Sequence, residues 1–101
     1  MQLDFDAPLW LHDEGSWHFV SVPLELSDEL RDRVGPATGG FGSIRVAATI
    51  GGTTWPTSVF PSASGEYVLP VKQQVRRTEG LSDGDVVSVQ LVPQLSRKPS
   101  G

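Results

Sequence analysis

The sequence predicts a small, mainly β domain: an antiparallel pseudo-barrel of about six strands with two short helices. Three observations predict it. Ile44, Val46, Ala48 and Ile50 alternate with Ser43, Arg45, Ala47 and Thr49, then meet Gly51-Gly52 and a second β-rich run, Thr53 to Phe60. The order of elements along the chain reads strand, strand, helix, strand, strand, strand, helix, strand. Two short helices cannot cover both faces of a parallel sheet, whereas a small barrel closed on its own edges buries its apolar faces with helices at the ends.

Composition sets the class. The chain has 101 residues, 38% hydrophobic and 20% charged, and no cysteine. That is one ordinary globular domain with no disulfide framework and no thiolate metal site. The predicted domain spans residues 1–93, with 94–101 as a frayed tail. No apolar run reaches the roughly 20 residues of a membrane span, and the start carries no signal-peptide pattern, so the expectation is a cytoplasmic protein. Net charge is −4. Residues 1–32 carry eight acids and one base, while the rest carries four acids and seven bases. An acidic chain does not attract DNA as a whole, so nucleic acid is not the expected partner.

In order, Leu3, Phe5, Ala7, Leu9 and Leu11 point one way and Asp4, Asp6, Pro8, Trp10 and His12 the other, a strand with Pro8 at an edge or bulge. Asp13-Glu14-Gly15 is a turn, and Ser16 to Val22 a second strand. Ser27 reads as a helix N-cap followed by Asp28 and Glu29; Leu30 and Val34 share a face, and Gly35-Pro36 ends the helix after about two turns. Residues 35–42 form a glycine-rich loop. Its spacing matches neither phosphate-binding fingerprint and it precedes a strand, so a turn is the expectation.

The Gly51-Gly52 pair accepts the positive φ that a type I′ turn demands at both central positions. It places Ile50 opposite Thr53, Ala48 opposite Trp55, Val46 opposite Thr57 and Arg45 opposite Ser58. Small Ala48 leaves room for the indole. Pro56 cannot donate to a ladder, which marks an edge or a bulge. Residues 61–66 are a loop and Tyr67 to Leu69 a short strand. Pro70 opens a second helix with Val71 and Val75 as its apolar face and Gly80 as its stop. Ser82 to Asp85 is a turn, and Val86 to Val92 the last strand, ended by Pro93. No internal sequence repeat is evident.

Several of these segments, in order, resemble a bacterial family of unknown function often fused ahead of a YdeI/OmpD-associated, bacteriocin-protection-like domain. They are Trp17-His18-Phe19-Val20 with Pro23 and Leu26, Gly40-Phe41-Gly42-Ser43-Ile44-Arg45-Val46, and Gly52-Thr53 through Trp55. Then come Thr57-Ser58-Val59-Phe60-Pro61, Tyr67-Val68-Leu69-Pro70-Val71-Lys72 with Val75-Arg76, Gly80-Leu81 and Gly84-Asp85-Val86-Val87. The match covers nearly the whole chain; the usual fusion partner is absent from it. The resemblance implies a double-split β pseudo-barrel similar to AbrB/MazE-type domains, and it implies no activity. Glu79-Gly80-Leu81-Ser82-Asp83-Gly84-Asp85-Val86 looks like the hairpin cap of that architecture.

Three constellations are candidate sites. Lys72 and Arg76 stand four apart on the second helix, and Arg45 lies beside Ser58 on the polar face of the hairpin. With Trp17, Trp55 and Tyr67 they are the expected ligand-binding set, suited to a small anionic ligand or a protein partner. The bland alternative is a set of solvated charges facing the acidic N-terminal third. His12 and His18 flank a turn with Asp13 and Glu14, but two imidazoles there are thin support for a metal, and no metal or other cofactor is expected. No nucleophile motif surrounds Ser58, so no catalytic residue is assigned. The reading is a non-catalytic binding module, monomer or homodimer. The alternative is an AbrB-like nucleic-acid-binding regulator, which would pair with itself and bind with steep salt dependence.

Overall fold

The computed structural model describes residues 1–12, 17–34 and 42–94. Six strands and two helices run in the order β1 Leu3–Leu11, β2 His18–Ser21, α1 Leu24–Arg33, β3 Ile44–Ile50, β4 Thr53–Pro61, β5 Tyr67–Pro70, α2 Gln73–Glu79 and β6 Val86–Pro93. The sheet closes on itself as β1-β2-β5-β4-β3-β6, with every pairing antiparallel. The expected mainly β barrel with two helices is therefore the fold.

The two nine-residue strands make the closure possible. The first part of β1 pairs with β6, from Leu3 opposite Leu91 to Pro8 opposite Val86, and its last residues pair with β2. β4 does the same, with β3 along Thr53 to Val59 and with β5 only at Phe60 and Pro61. Each long strand so belongs to two sheets. Pro8 lies just outside the β1–β2 pairs, and Pro56 lies where β4 has β3 on one side and no strand on the other. A residue without an N–H is tolerated at such a position.

The hairpin register matches the expected one at every pair, Arg45–Ser58 and Ala48–Trp55 included. The turn differs. Gly51 has φ 61°, and Gly52 is not among the glycines with positive φ. Positive φ at the first central position alone is the requirement of a type II′ turn, not type I′.

The barrel has an internal two-fold relationship that the sequence hides. Exchanging β1 with β4, β2 with β5 and β3 with β6 turns every strand pairing into another observed pairing. The chain is thus two ββαβ units. Leu9 matches Val59, Val20 matches Leu69 and Val22 matches Val71; all six are buried. Across the axis, the Val22 N–H donates to the Tyr67 carbonyl at 2.8 Å and the Val71 N–H donates to the His18 carbonyl at 2.9 Å. Burial is kept at equivalent positions while residue type is not, so no sequence repeat is visible.

Inward alternation fills the core. Leu9, Ile44, Val46, Val59, Leu69 and Leu91 are each at most 1% exposed. Truncating such a side chain to Ala typically costs about 2–5 kcal/mol for Leu or Ile. Both helices bury an apolar stripe against this core, α1 through Leu30 and α2 through Val75, with Val34 and Val71 flanking them.

Two helix boundaries correct the sequence reading. α1 begins at Leu24 rather than Ser27, with Pro23 at the N-cap and no side-chain cap. Ser27 lies within the helix, fully buried, because β5 passes beside it and takes its hydroxyl. α2 begins at Gln73, not Pro70; Pro70 closes β5 by pairing with Phe19. Gly80 ends α2 as expected, at φ 65° in the left-handed region. Gly35 and Pro36, most of the glycine-rich loop, Asp13 to Ser16 and the tail beyond Gln94 lie outside the described residues. No described helix is long and apolar enough to cross a membrane.

Candidate interaction surface

The barrel has two unlike outer faces. On the side built from β1, β6, β3 and β4, polar outward residues bond one another, beside outward Ala47, Pro56, Val86 and Val92. Ser88 Oγ donates to Asp6 at 2.7 Å, Gln90 Nε2 donates to Asp4 at 3.4 Å, and the Thr49 and Thr54 hydroxyls are bonded at 2.8 Å. This is an ordinary solvated sheet face.

The side built from β1, β2, β5 and β4 is aromatic. Trp10 lies opposite Phe19, Phe19 opposite Pro70, and Val68 opposite Phe60. The Trp10 and Phe19 centroids are 5.1 Å apart. Trp17 stacks on Phe19 at 6.2 Å with ring planes 13° apart, and His12 meets Phe19 edge-on at 6.2 Å. The His12 N–H donates to the Trp17 carbonyl at 2.9 Å, which extends the β1–β2 ladder and presents both rings on this side. Trp10 Nε1 donates to Ser21 Oγ at 3.1 Å, so its polar edge is satisfied within the face.

His12, Trp17, Phe19, Phe60, Val68 and Pro70 line an open cleft of about 420 Å³. Trp17 is 63% exposed and Phe60 45%. The two-fold relationship runs through this face: Trp10 and Phe19 on one half correspond to Phe60 and Val68 on the other.

The residues expected at a binding site are spread over the molecule. Trp17 belongs to the aromatic face. Arg45 and Ser58 are neighbours across the hairpin, Arg45 exposed and Ser58 half-buried. Trp55 and Tyr67 turn inward and are buried, Tyr67 beneath the guanidinium of Arg31 at 5.3 Å from its ring. Arg31 also pairs with Asp28 at 2.8 Å and donates to the Gly65 carbonyl, pinning the β4–β5 turn to α1. Lys72 meets Trp55 in a cleft between β4 and α2. Arg76 is half-buried, its Nε donating to the Val71 carbonyl at 3.2 Å. Lys72 and Trp55 come together; Arg45 and Ser58 stand apart on the opposite surface of the sheet from Trp55.

His12 and His18 project to opposite sides, because the register sets Leu11 against His18 and His12 against Trp17. Among the described residues no group of three metal-ligating side chains exists; Asp13 and Glu14 lie outside them.

Phe19, Phe60, Val68 and Pro70 escape the sequence-based site. Outward parity was visible for Phe60, which follows inward Val59. Its neighbours come from the β2–β5 and β4–β5 pairings, which join segments distant in sequence.

The family model for a domain of unknown function, DUF1905, matches residues 5–91. The chain belongs to the DUF1905 family. The matched stretch begins in β1 and ends in β6, so the DUF1905 domain takes in all six strands of the barrel and every residue lining the aromatic cleft. No curated protein matches the chain.

Proposed function

We propose that this DUF1905 domain is a non-catalytic binding module and that its contact surface is the aromatic face of β1, β2, β5 and β4. The carrying observation is the convergence of exposed Trp17 and Phe60 with Phe19, Val68 and Pro70 around one open cleft. A contiguous exposed apolar patch rimmed by polar residues marks an interaction site or a ligand groove. Trp and Phe are the side chains that anchor protein interfaces.

The lining favours a protein partner over the small anion expected from the sequence. Among the described residues it contains no Lys or Arg and His12 is its one titratable group, so little in the cleft compensates an anion's lost hydration. The face also spreads over four strands, wider than a single small ligand needs. An apolar side chain from a partner would seat in the cleft with Trp17 and Phe60 packed around it. A nucleic-acid role has less support, because the chain carries net charge −4.

Selection from a displayed random-peptide library tests the proposal. The expected result is enrichment of peptides with an aromatic or aliphatic anchor. Their affinity falls at least tenfold on Phe60→Ser or Trp17→Ser and holds on Lys72→Met. Peptides that bind the Phe60→Ser and Trp17→Ser proteins equally well, or no enrichment at all, would count against it. A dimer in sedimentation equilibrium that Phe60→Ser dissociates would replace the foreign partner with a second copy of the chain.

A further inference from the structure

A second cleft lies on the other side of β4, independent of the aromatic face. α2 packs near the part of β4 that β5 leaves uncovered, and Trp55, Lys72, Gln74 and Thr78 line the space between them, about 190 Å³. Trp55 forms part of its wall. It is 5% exposed, and among the described residues its indole N–H has no hydrogen-bond partner. Yet no fully buried side-chain nitrogen or oxygen among them lacks a partner. The Trp55 N–H therefore reaches the small part of the ring that solvent touches, and this cleft opens beside that ring. Trp10 differs: its N–H is used by Ser21.

The other lining groups divide into committed and available. The Thr53 hydroxyl donates to Glu79 at 2.5 Å and the Thr54 hydroxyl is bonded to Thr49. Lys72 makes no ion pair among the described residues, and Gln74 and Thr78 make no side-chain hydrogen bond there. The available groups are thus one indole N–H, one ammonium, one amide and one hydroxyl. Two can only donate and the other two can donate as well as accept, which is the complement of an oxyanion.

We propose that this cleft binds a singly charged carboxylate, with one oxygen on the Trp55 N–H and the other facing the Lys72 ammonium. Single charge follows from the lining: among the described residues Lys72 is its one cation, and the Glu79 carboxylate lies close by on Thr53. A doubly charged phosphate would be left under-compensated. The volume is below that of typical cofactor sites, which suits a carboxylate head on a short carbon chain. Such a group is found on a small free acid and at the C-terminus of a peptide.

Proton–nitrogen correlation spectra follow the three tryptophan indole signals. Trp10→Phe and Trp17→Phe identify the Trp55 signal by elimination without touching the cleft. Propionate should move the Trp55 signal along a saturating curve and propionamide should not. Lys72→Met, an exposed position, should weaken propionate at least tenfold, while Phe60→Ser leaves it unchanged, which separates this site from the aromatic face. The tripeptide Gly-Gly-Ala is titrated with a free and an amidated C-terminus. Tighter saturation by the free peptide than by propionate assigns the carboxylate to a chain terminus; the reverse assigns it to a free acid. The proposal is overturned if neither carboxylate moves the Trp55 signal, if propionamide moves it equally, or if Lys72→Met binds propionate as tightly as the parent.

Discussion

The Ser27 hydroxyl accepts the backbone N–H of Tyr67 at 2.9 Å and donates to the carbonyl of Val22 at 3.0 Å, in a place with no solvent exposure. One side chain so joins α1 to the start of β5 and to the end of β2. Ser27→Ala would leave a buried donor and a buried acceptor short of a partner. An unsatisfied buried group costs about 1–3 kcal/mol, more than the roughly 1 kcal/mol of a lost helix cap. Urea unfolding should show a loss of about 2–3 kcal/mol with an unchanged slope. A loss below about 1 kcal/mol would mean that water replaces the hydroxyl.

Gly51 carries two constraints at once. Its φ is 61°, and a Cβ there would run into the Glu79 carboxylate. Gly51→Ala should destabilise by about 1–3 kcal/mol. Gly52→Ala meets open space and should stay within about 1 kcal/mol of the parent. Glu79→Ala combined with Gly51→Ala separates the collision from the backbone strain; a remaining loss in the double variant is the strain.

Ala48 lies directly opposite Trp55 in the barrel interior, at 0% and 5% exposure. Enlarging it forces the indole or the backbone to move. Ala48→Ile should cost about 1–3 kcal/mol by overpacking, measured by thermal unfolding. Ala47→Ile, on the outer side next to Pro56 and Val92, should cost less. Equal losses would show that the interior at Ala48 has spare room.

Phe60 and Trp17 contribute to the surface more than to the fold. Phe60→Ser and Trp17→Ser should each change stability by less than about 1 kcal/mol. The same variants should lose most of the fluorescence enhancement of an anilinonaphthalene dye bound by the parent. Retained enhancement would place the accessible apolar surface elsewhere, at Leu24 or Val86.

Much of the fold was legible because its signals are local. Alternation marks β1 and β3, the Ser82–Asp85 turn and Pro93 bound β6, and two adjacent glycines set the register of β3 against β4, so the Ala48–Trp55 and Arg45–Ser58 pairs follow from counting outward from the turn. Pro56 marked an uncovered stretch of β4 because a missing N–H has the same meaning in any fold. The helix starts were less legible. Ser27 has the chemistry of a cap, but the same hydroxyl serves equally well to hold a passing strand, and the chain alone does not say that β5 passes there.

The candidate site was legible only in fragments. Residue type points to Trp17 and Trp55, and spacing from Arg76 points to Lys72, yet they belong to different places. Trp55 and Lys72 share the cleft beside α2, and Trp17 joins Phe19 and Phe60 on the far side of the barrel. By itself the sequence determined which residues alternate, where the chain turns and how β3 meets β4, because these depend on neighbours a few positions away. Only the tertiary structure decided that β2 lies beside β5, that the two halves are related by a two-fold, and that rings distant in sequence form one face. Those pairings depend on closing the barrel, and the free energy of closure belongs to the whole core rather than to any one segment.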